Sequence, residues 1–128
     1  MGSSHLAGGD PPMKHIDLPW PSSLLHPNAR CHWAQKARAT KKARADASVA
    51  ALAAGIRKIE ASALAVTAIF SPPDNRRRDS DGMLSSLKPT LDGISDVIGV
   101  DDSKWEISIK RSPPIKGGNV RIEISELA

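Results

Sequence analysis

The sequence predicts an α+β fold: a single small domain in which two helices pack on one mixed sheet, in the order β-α-β-α-β-β. Three observations predict it. The chain has 128 residues, 40% of them hydrophobic, which allows one modest core. Strand-like and helix-like apolar patterns alternate along it. One Phe, three Trp and no Tyr leave the core to Ala, Val, Leu and Ile.

Taken in order, the first strand is expected near Met13–Leu18. It stops at Pro19-Trp20-Pro21, where two prolines remove backbone donors. Ser22 to Arg30 reads as loop. A long helix over Ala34–Glu60 follows, rich in Ala and long basic side chains. Val49, Leu52, Ala53 and Ile56 share one face at helical spacing, so its second half is expected to pack on the sheet, its basic first half lying exposed near a ligand. Leu64–Phe70 reads as a buried strand, ended by Ser71-Pro72-Pro73-Asp74-Asn75. A second helix covers Gly82–Ile98, with Leu84, Leu87, Leu91, Ile94 and Ile98 as its stripe. Pro89 is expected to kink it, or to delay it until about Leu87 with Ser85 or Ser86 as cap. The end reads as a β-hairpin: Trp105, Ile107 and Ile109 alternate with polar residues, as do Val120, Ile122 and Ile124, with Ser112–Gly118 as the connection.

Several classes are set aside by composition. Cys31 is the only cysteine, so no internal disulfide forms and a reducing, cytoplasmic setting is expected. No apolar run reaches membrane-spanning length, and no membrane partner is expected. Met1–Asp10 is small and polar without the apolar centre of a signal peptide. Residues 1–12 are expected to be a disordered extension or remnant, and 13–128 the domain.

Formal net charge is +4. No acidic residue lies between Leu18 and Ala45, while that stretch holds Arg30, Lys36, Arg38, Lys41, Lys42 and Arg44. Such a one-signed stretch has two readings: a solvated helix face, or a salt-sensitive phosphate-binding surface.

Arg76-Arg77-Arg78-Asp79-Ser80-Asp81 is the most informative segment. In an extended chain Asp79 and Asp81 point to one side and can share a cation. Hard carboxylate oxygens suit Mg²⁺, and adjacent guanidiniums hold phosphates. The plain alternative is a self-neutralised, solvated turn. Asp101-Asp102 either supplies a third carboxylate or is a polar turn before a strand. His26, Cys31 and His32 are too few, at the wrong spacing, for a structural zinc site. Trp20 and Trp33 have two readings, as core or interface residues or as platforms for unpaired bases. Lys116-Gly117-Gly118 reads as a turn with a lysine able to touch phosphate.

As a set, these residues resemble the RusA family of Holliday-junction resolvases from about His15 to Glu126. The set is Leu18-Pro19-Trp20-Pro21, Pro27-Asn28-Ala29-Arg30 and the basic helix, then Arg76–Asp81, Lys88, Leu91-Asp92, Asp101-Asp102 and Lys116-Gly117-Gly118. The resemblance implies a homodimer that nicks four-way junction DNA symmetrically during recombination and repair, with no organic cofactor. It implies a Mg²⁺ site (Mn²⁺ as substitute) of Asp79, Asp81 and Asp102, with Lys88 as catalytic lysine. It further implies DNA contacts from Arg76, Arg77 and Arg78, joined by Arg30, Lys36, Arg38, Lys41 and Lys42 of the basic stretch. Two positions depart from the pattern. Gly82 stands where the family usually has Asn, and Lys88 follows Asp81 by seven residues where the family lysine commonly follows by four. The three added residues amount to about 4.5 Å of helix rise. These departures keep a second expectation in view, a catalytically impaired junction-binding module of prophage origin. A different DxD metal enzyme, acting on nucleotide sugars, fits less well, because the arginine run is present and a Gly-rich nucleotide loop is not.

Overall fold

The computed structural model describes residues 14–127; the expected N-terminal extension over residues 1–12 lies outside the described residues. The order β-α-β-α-β-β holds: β1 (Lys14–Leu18), α1 (Trp33–Ala53), β2 (Leu64–Ser71), α2 (Ser80–Ile98), β3 (Trp105–Arg111) and β4 (Asn119–Glu126). Short 3₁₀ turns at Ser23–Leu25 and Asp102–Lys104 complete it. The sheet is mixed, in the order β1-β4-β2-β3, with β2 and β3 parallel and the other pairs antiparallel.

That order corrects the expected terminal hairpin. β3 and β4 are not neighbours, because β2 lies between them. The connection instead crosses the C-terminal end of β2: Ser112 N–H donates to the Phe70 carbonyl and Ile115 N–H to the Pro72 carbonyl. The reason is burial. Val120, Ile122 and Ile124 are fully buried, so β4 takes a central place, while β3 runs along an edge with Ile107 exposed. Alternation marks a strand with one apolar face, but it does not name its neighbours.

α1 is shorter than expected, and its buried face is different. It ends at Ala53, and Gly55 turns the chain away with φ +86°. Val49 (67% exposed) and Leu52 (47%) face solvent, whereas Ala47 and Ala51 are buried. Its second half packs mainly on α2, where the sheet had been expected. The cause is visible at Gly93 of α2: a Cβ there would stand 2.2 Å from the Arg44 backbone oxygen and 2.9 Å from the Ala47 Cβ. Only small side chains fit so close a crossing. Ser48 Oγ donates to the Gly93 carbonyl (2.9 Å), and Arg44 makes two hydrogen bonds to Asp96 across it (2.7 and 2.8 Å).

α2 is continuous from Ser80, so Pro89 neither delays its start nor moves its cap to Ser85 or Ser86. Asp79 caps it, accepting from Gly82 N–H, and Gly99 ends it in the left-handed conformation (φ 75°). Leu87, Leu91, Ile94 and Ile98 are buried as expected, joined by Met83, while Leu84 is only partly covered. They meet Leu64, Val66, Ala68 and Phe70 of β2 and the buried face of β4 in one core.

The close crossing makes a prediction. Gly93→Ala should destabilise the fold by about 1–3 kcal/mol through overpacking, read as a lower urea midpoint, although alanine favours helix by about 1 kcal/mol over glycine. An unchanged or raised midpoint would mean that the helices separate freely.

Candidate functional site

The loop between β2 and α2 carries the arginine run, and Asp74 organises it. The Asp74 carboxylate accepts from Arg76 N–H (3.0 Å) and pairs with the guanidiniums of Arg76 (3.2 Å) and Arg78 (3.0 Å). These contacts hold its carboxyl below the ordinary value, the Arg76 N–H being the largest cause. Arg78 is largely covered, with 17% of its side chain exposed; it donates to the carbonyls of Asp74 and Arg76 and lies 5.3 Å from the centre of the Trp20 ring. Arg78 therefore holds the loop, while Arg76 and Arg77 face outward.

Trp20 is half-buried, edge-on to Phe70 at 5.8 Å, so it serves the core and lines a cleft at once. Trp33 is 77% exposed at the start of α1. The cleft, about 350 Å³, is bounded by Trp20, His26, Phe70, Arg76–Asp79 and Met83. A second groove, about 560 Å³, lies between the Leu18–Leu25 segment and α1 and includes Arg38 and Lys42. Trp20, Pro21 and Ser22 border both. Two basic segments some forty residues apart in sequence thus meet across one loop.

The proposed metal ligands do not all converge. Asp79 is extended, but the helix begins at Ser80, so Asp81 sits in its first turn and strand alternation does not govern the pair. One Asp79 oxygen accepts from Gly82 N–H. Lys88 lies seven residues beyond Asp81, about 10.5 Å along the helix, and is paired with both Asp102 and Asp92, the latter at 2.9 Å. Those two carboxylates, Asp102 first, raise its pKa and keep it protonated. The α2–β3 turn that presents Asp102 is fixed by Ser95 Oγ and Trp105 Nε1, which both donate to the Val100 carbonyl. Among the described residues no three His, Cys, Asp or Glu side chains are gathered around one point. The donor chemistry still fits Mg²⁺, which is commonly held by one or two carboxylates plus substrate phosphates. Asp79 and Asp81, at the start of α2, supply two carboxylates of that type, while Asp102 is occupied by an ammonium.

His26 was not legible in the sequence as a neighbour of Asp79. Its Nε2 stands 3.0 Å, and Asp79 Oδ1 2.8 Å, from the point that a Gly82 Cβ would occupy. Any side chain at position 82 would displace one of them. His26 Nδ1 accepts from Asn28 N–H (3.1 Å), which leaves Nε2 as the protonated nitrogen of the neutral ring. His32 caps α1 through its own Nδ1. Along the basic stretch, Lys42 pairs with Asp46 and Arg44 with Asp96, while Arg30, Lys36, Arg38 and Lys41 make no ion pair among the described residues.

No protein-family model matches this chain. A protein of Xylella fastidiosa (strain Temecula1), described only as uncharacterized, is 41% identical over 96 residues, which cover 73% of this chain. The chain spans 63% of that relative's length. Among the described residues no helix is long and apolar enough to cross a membrane.

Two outcomes are expected. Asp79→Ala should cost about 1 kcal/mol of stability through the lost cap, whereas Asp79→Asn keeps a capping oxygen and should leave the urea midpoint nearly unchanged. Asp74 has a lowered pKa, so its contribution to loop order is complete above its ordinary value of 3.8 and is lost as pH falls through the lowered one. The Arg76 and Arg78 side-chain N–H resonances should move together in that acidic range, and not near neutrality.

Proposed function

We propose that this protein is a metal-dependent endonuclease acting on branched DNA, of the kind represented by the RusA resolvases. The observation that carries the reading is the cleft in which Asp79 stands against Arg76, Arg77 and Arg78, with the basic face of α1 across the same loop. A nuclease has to hold a polyanion beside its own carboxylates, and outward guanidiniums at a carboxylate cleft meet that need. The sequence resemblance supplies the reaction class: hydrolysis of a phosphodiester in a four-way junction, nicked symmetrically by a homodimer.

In this reading Arg76 and Arg77 bind phosphates, and Arg78 fixes the loop from which they project. Asp79 and Asp81 would hold Mg²⁺, which when bound would supply Lewis-acid charge to the reacting phosphate. Asp102 joins that set only when the Lys88 ammonium leaves it. Lys88, held protonated, offsets negative charge on the substrate and is not a general base at neutral pH. A junction is approximately two-fold symmetric, which matches a C₂ pair of sites. The Lys88–Asp102 pairing also favours a second reading, a junction-binding module that does not cut.

Cleavage of a labelled four-way junction beside matched linear duplex, with Mg²⁺ and with EDTA, tests the proposal. Paired nicks in the junction alone, dependent on metal and abolished in Asp79→Asn with binding retained, are the expected result. Arg77→Ala should weaken binding and lower the slope of log K against log salt by about 1. Tight junction binding with no cutting in Mg²⁺ or Mn²⁺ would select the binding module. Absence of any junction preference would overturn both.

A further inference from the structure

We infer that the cleft beside Asp79 is a subsite for one unstacked nucleobase next to the phosphate that is cut, an inference that rests on the nuclease reading above. Its volume, about 350 Å³, is at the small end of the roughly 300–1,000 Å³ of ligand pockets. That suits one planar ring better than a long ligand. Its accessible apolar wall is Trp20, backed by the buried Phe70 and Met83, and its charged rim is the arginine loop. An aromatic wall beside outward guanidiniums is the pattern that binds single-stranded nucleic acid: the base stacks and the backbone meets the cations. The wall is also rigid. Trp20 is held by Phe70, packed at an interplanar angle of 76°, and by Arg78, 5.3 Å from the centre of the indole ring, so little ordering is left to be done on binding.

The polar groups point to a base edge with acceptors. His26 presents Nε2–H, because Nδ1 is committed to Asn28 N–H. Ser22 Oγ accepts from Leu24 N–H, which leaves its hydroxyl proton to donate. These donors and the arginines stand on one side of the cleft's chemistry, and Asp79 is the carboxylate on its lining. A base inside a duplex has both faces stacked and cannot enter. A base at a branch point is unstacked at least cost, which gives the enzyme a physical reason to prefer branched DNA.

Single-turnover cutting first locates the cleaved phosphate in a four-way junction. The base on its 5′ side, then on its 3′ side, is next replaced by an abasic residue. One of the two replacements should slow wild-type cutting at subsaturating protein about tenfold, in line with stacking of roughly 1–3 kcal/mol per base. Ser23→Trp, which fills the cleft from an exposed position, should cut the intact junction more slowly and lose the difference between intact and abasic DNA. Should Ser23→Trp fail to fold by circular dichroism, His26→Ala takes its place, and the abasic penalty should shrink. Cutting that is insensitive to both abasic positions, or an abasic penalty undiminished in the variant, would overturn the subsite while leaving the nuclease standing. A chain that neither binds nor cuts junctions removes the nuclease reading, and the subsite with it.

Discussion

α1 and α2 cross closely enough at Gly93 to leave no room for a side chain, and much of the architecture follows from that contact. A Cβ at Gly93 would stand 2.2 Å from the Arg44 carbonyl oxygen, well inside contact distance. The two backbones can meet so closely only because one side offers glycine and the other Ala47. Ser48 and Arg44 then fix the register with hydrogen bonds to Gly93 and Asp96. Once α2 is held on this side, its other side seats Leu87, Leu91, Ile94 and Ile98 on the sheet. Its N-terminus must then lie where β2 ends, and this brings Asp79 to the rim of the Trp20 cleft. An alanine-rich α1 with a weak apolar stripe is what this crossing requires. Larger residues on that face would separate the helices and leave the sheet half covered.

A second constraint acts on the arginine run. Three adjacent guanidiniums repel one another, and a loop carrying them is stable only if the charge is absorbed locally. Asp74 absorbs it by accepting from both Arg76 and Arg78. Exposed ion pairs contribute little stability by themselves. Arg78 differs because it is covered, satisfied by two backbone carbonyls and stacked on Trp20. One arginine of the three thus has a structural role, and the loop it orders presents the other two to solvent. Counting charges in the sequence cannot make that division.

The legible parts of the fold were those set by local pattern. Element order, the buried strand at Leu64 and the stripe of α2 follow from periodicity that a single segment contains, while the mixed sheet with two helices rests on that pattern together with the family resemblance. What escaped was set by contacts distant in sequence. The exchange of Val49 and Leu52 for Ala47 and Ala51 as the buried face depends on Gly93, more than forty residues away. The insertion of β4 between β1 and β2 depends on which strand has two neighbours, and alternation does not carry that. At the site, Asp79 and its arginines were legible as a motif. The start of a helix at Ser80 was not, and it replaced the extended geometry expected of the DxD pair. His26 became visible only through Gly82, whose missing side chain leaves the space in which imidazole and carboxylate meet.

The arrangement along α2 bears on how one protein could use both of its charged clusters. Asp79 and His26 lie at the helix start, while Lys88, Asp92 and Asp102 lie about two turns further on. α2 is continuous through Pro89, so bending the helix does not bring them together. Under the proposed nuclease reading, a DNA substrate would span them instead. A DNA strand rises about 3.4 Å per nucleotide along its axis, so the roughly 10.5 Å of helix between Asp81 and Lys88 corresponds to about three nucleotides. A strand lying along this face would place one phosphate at the carboxylates and arginines, and another near the Lys88 ammonium. Phosphate contact at Lys88 competes with its bond to Asp102, because one ammonium cannot satisfy both fully. DNA binding and release of the Asp102 carboxylate are coupled on this reading. Under the proposed nuclease reading, the ion pair would be a placeholder that bound phosphate displaces.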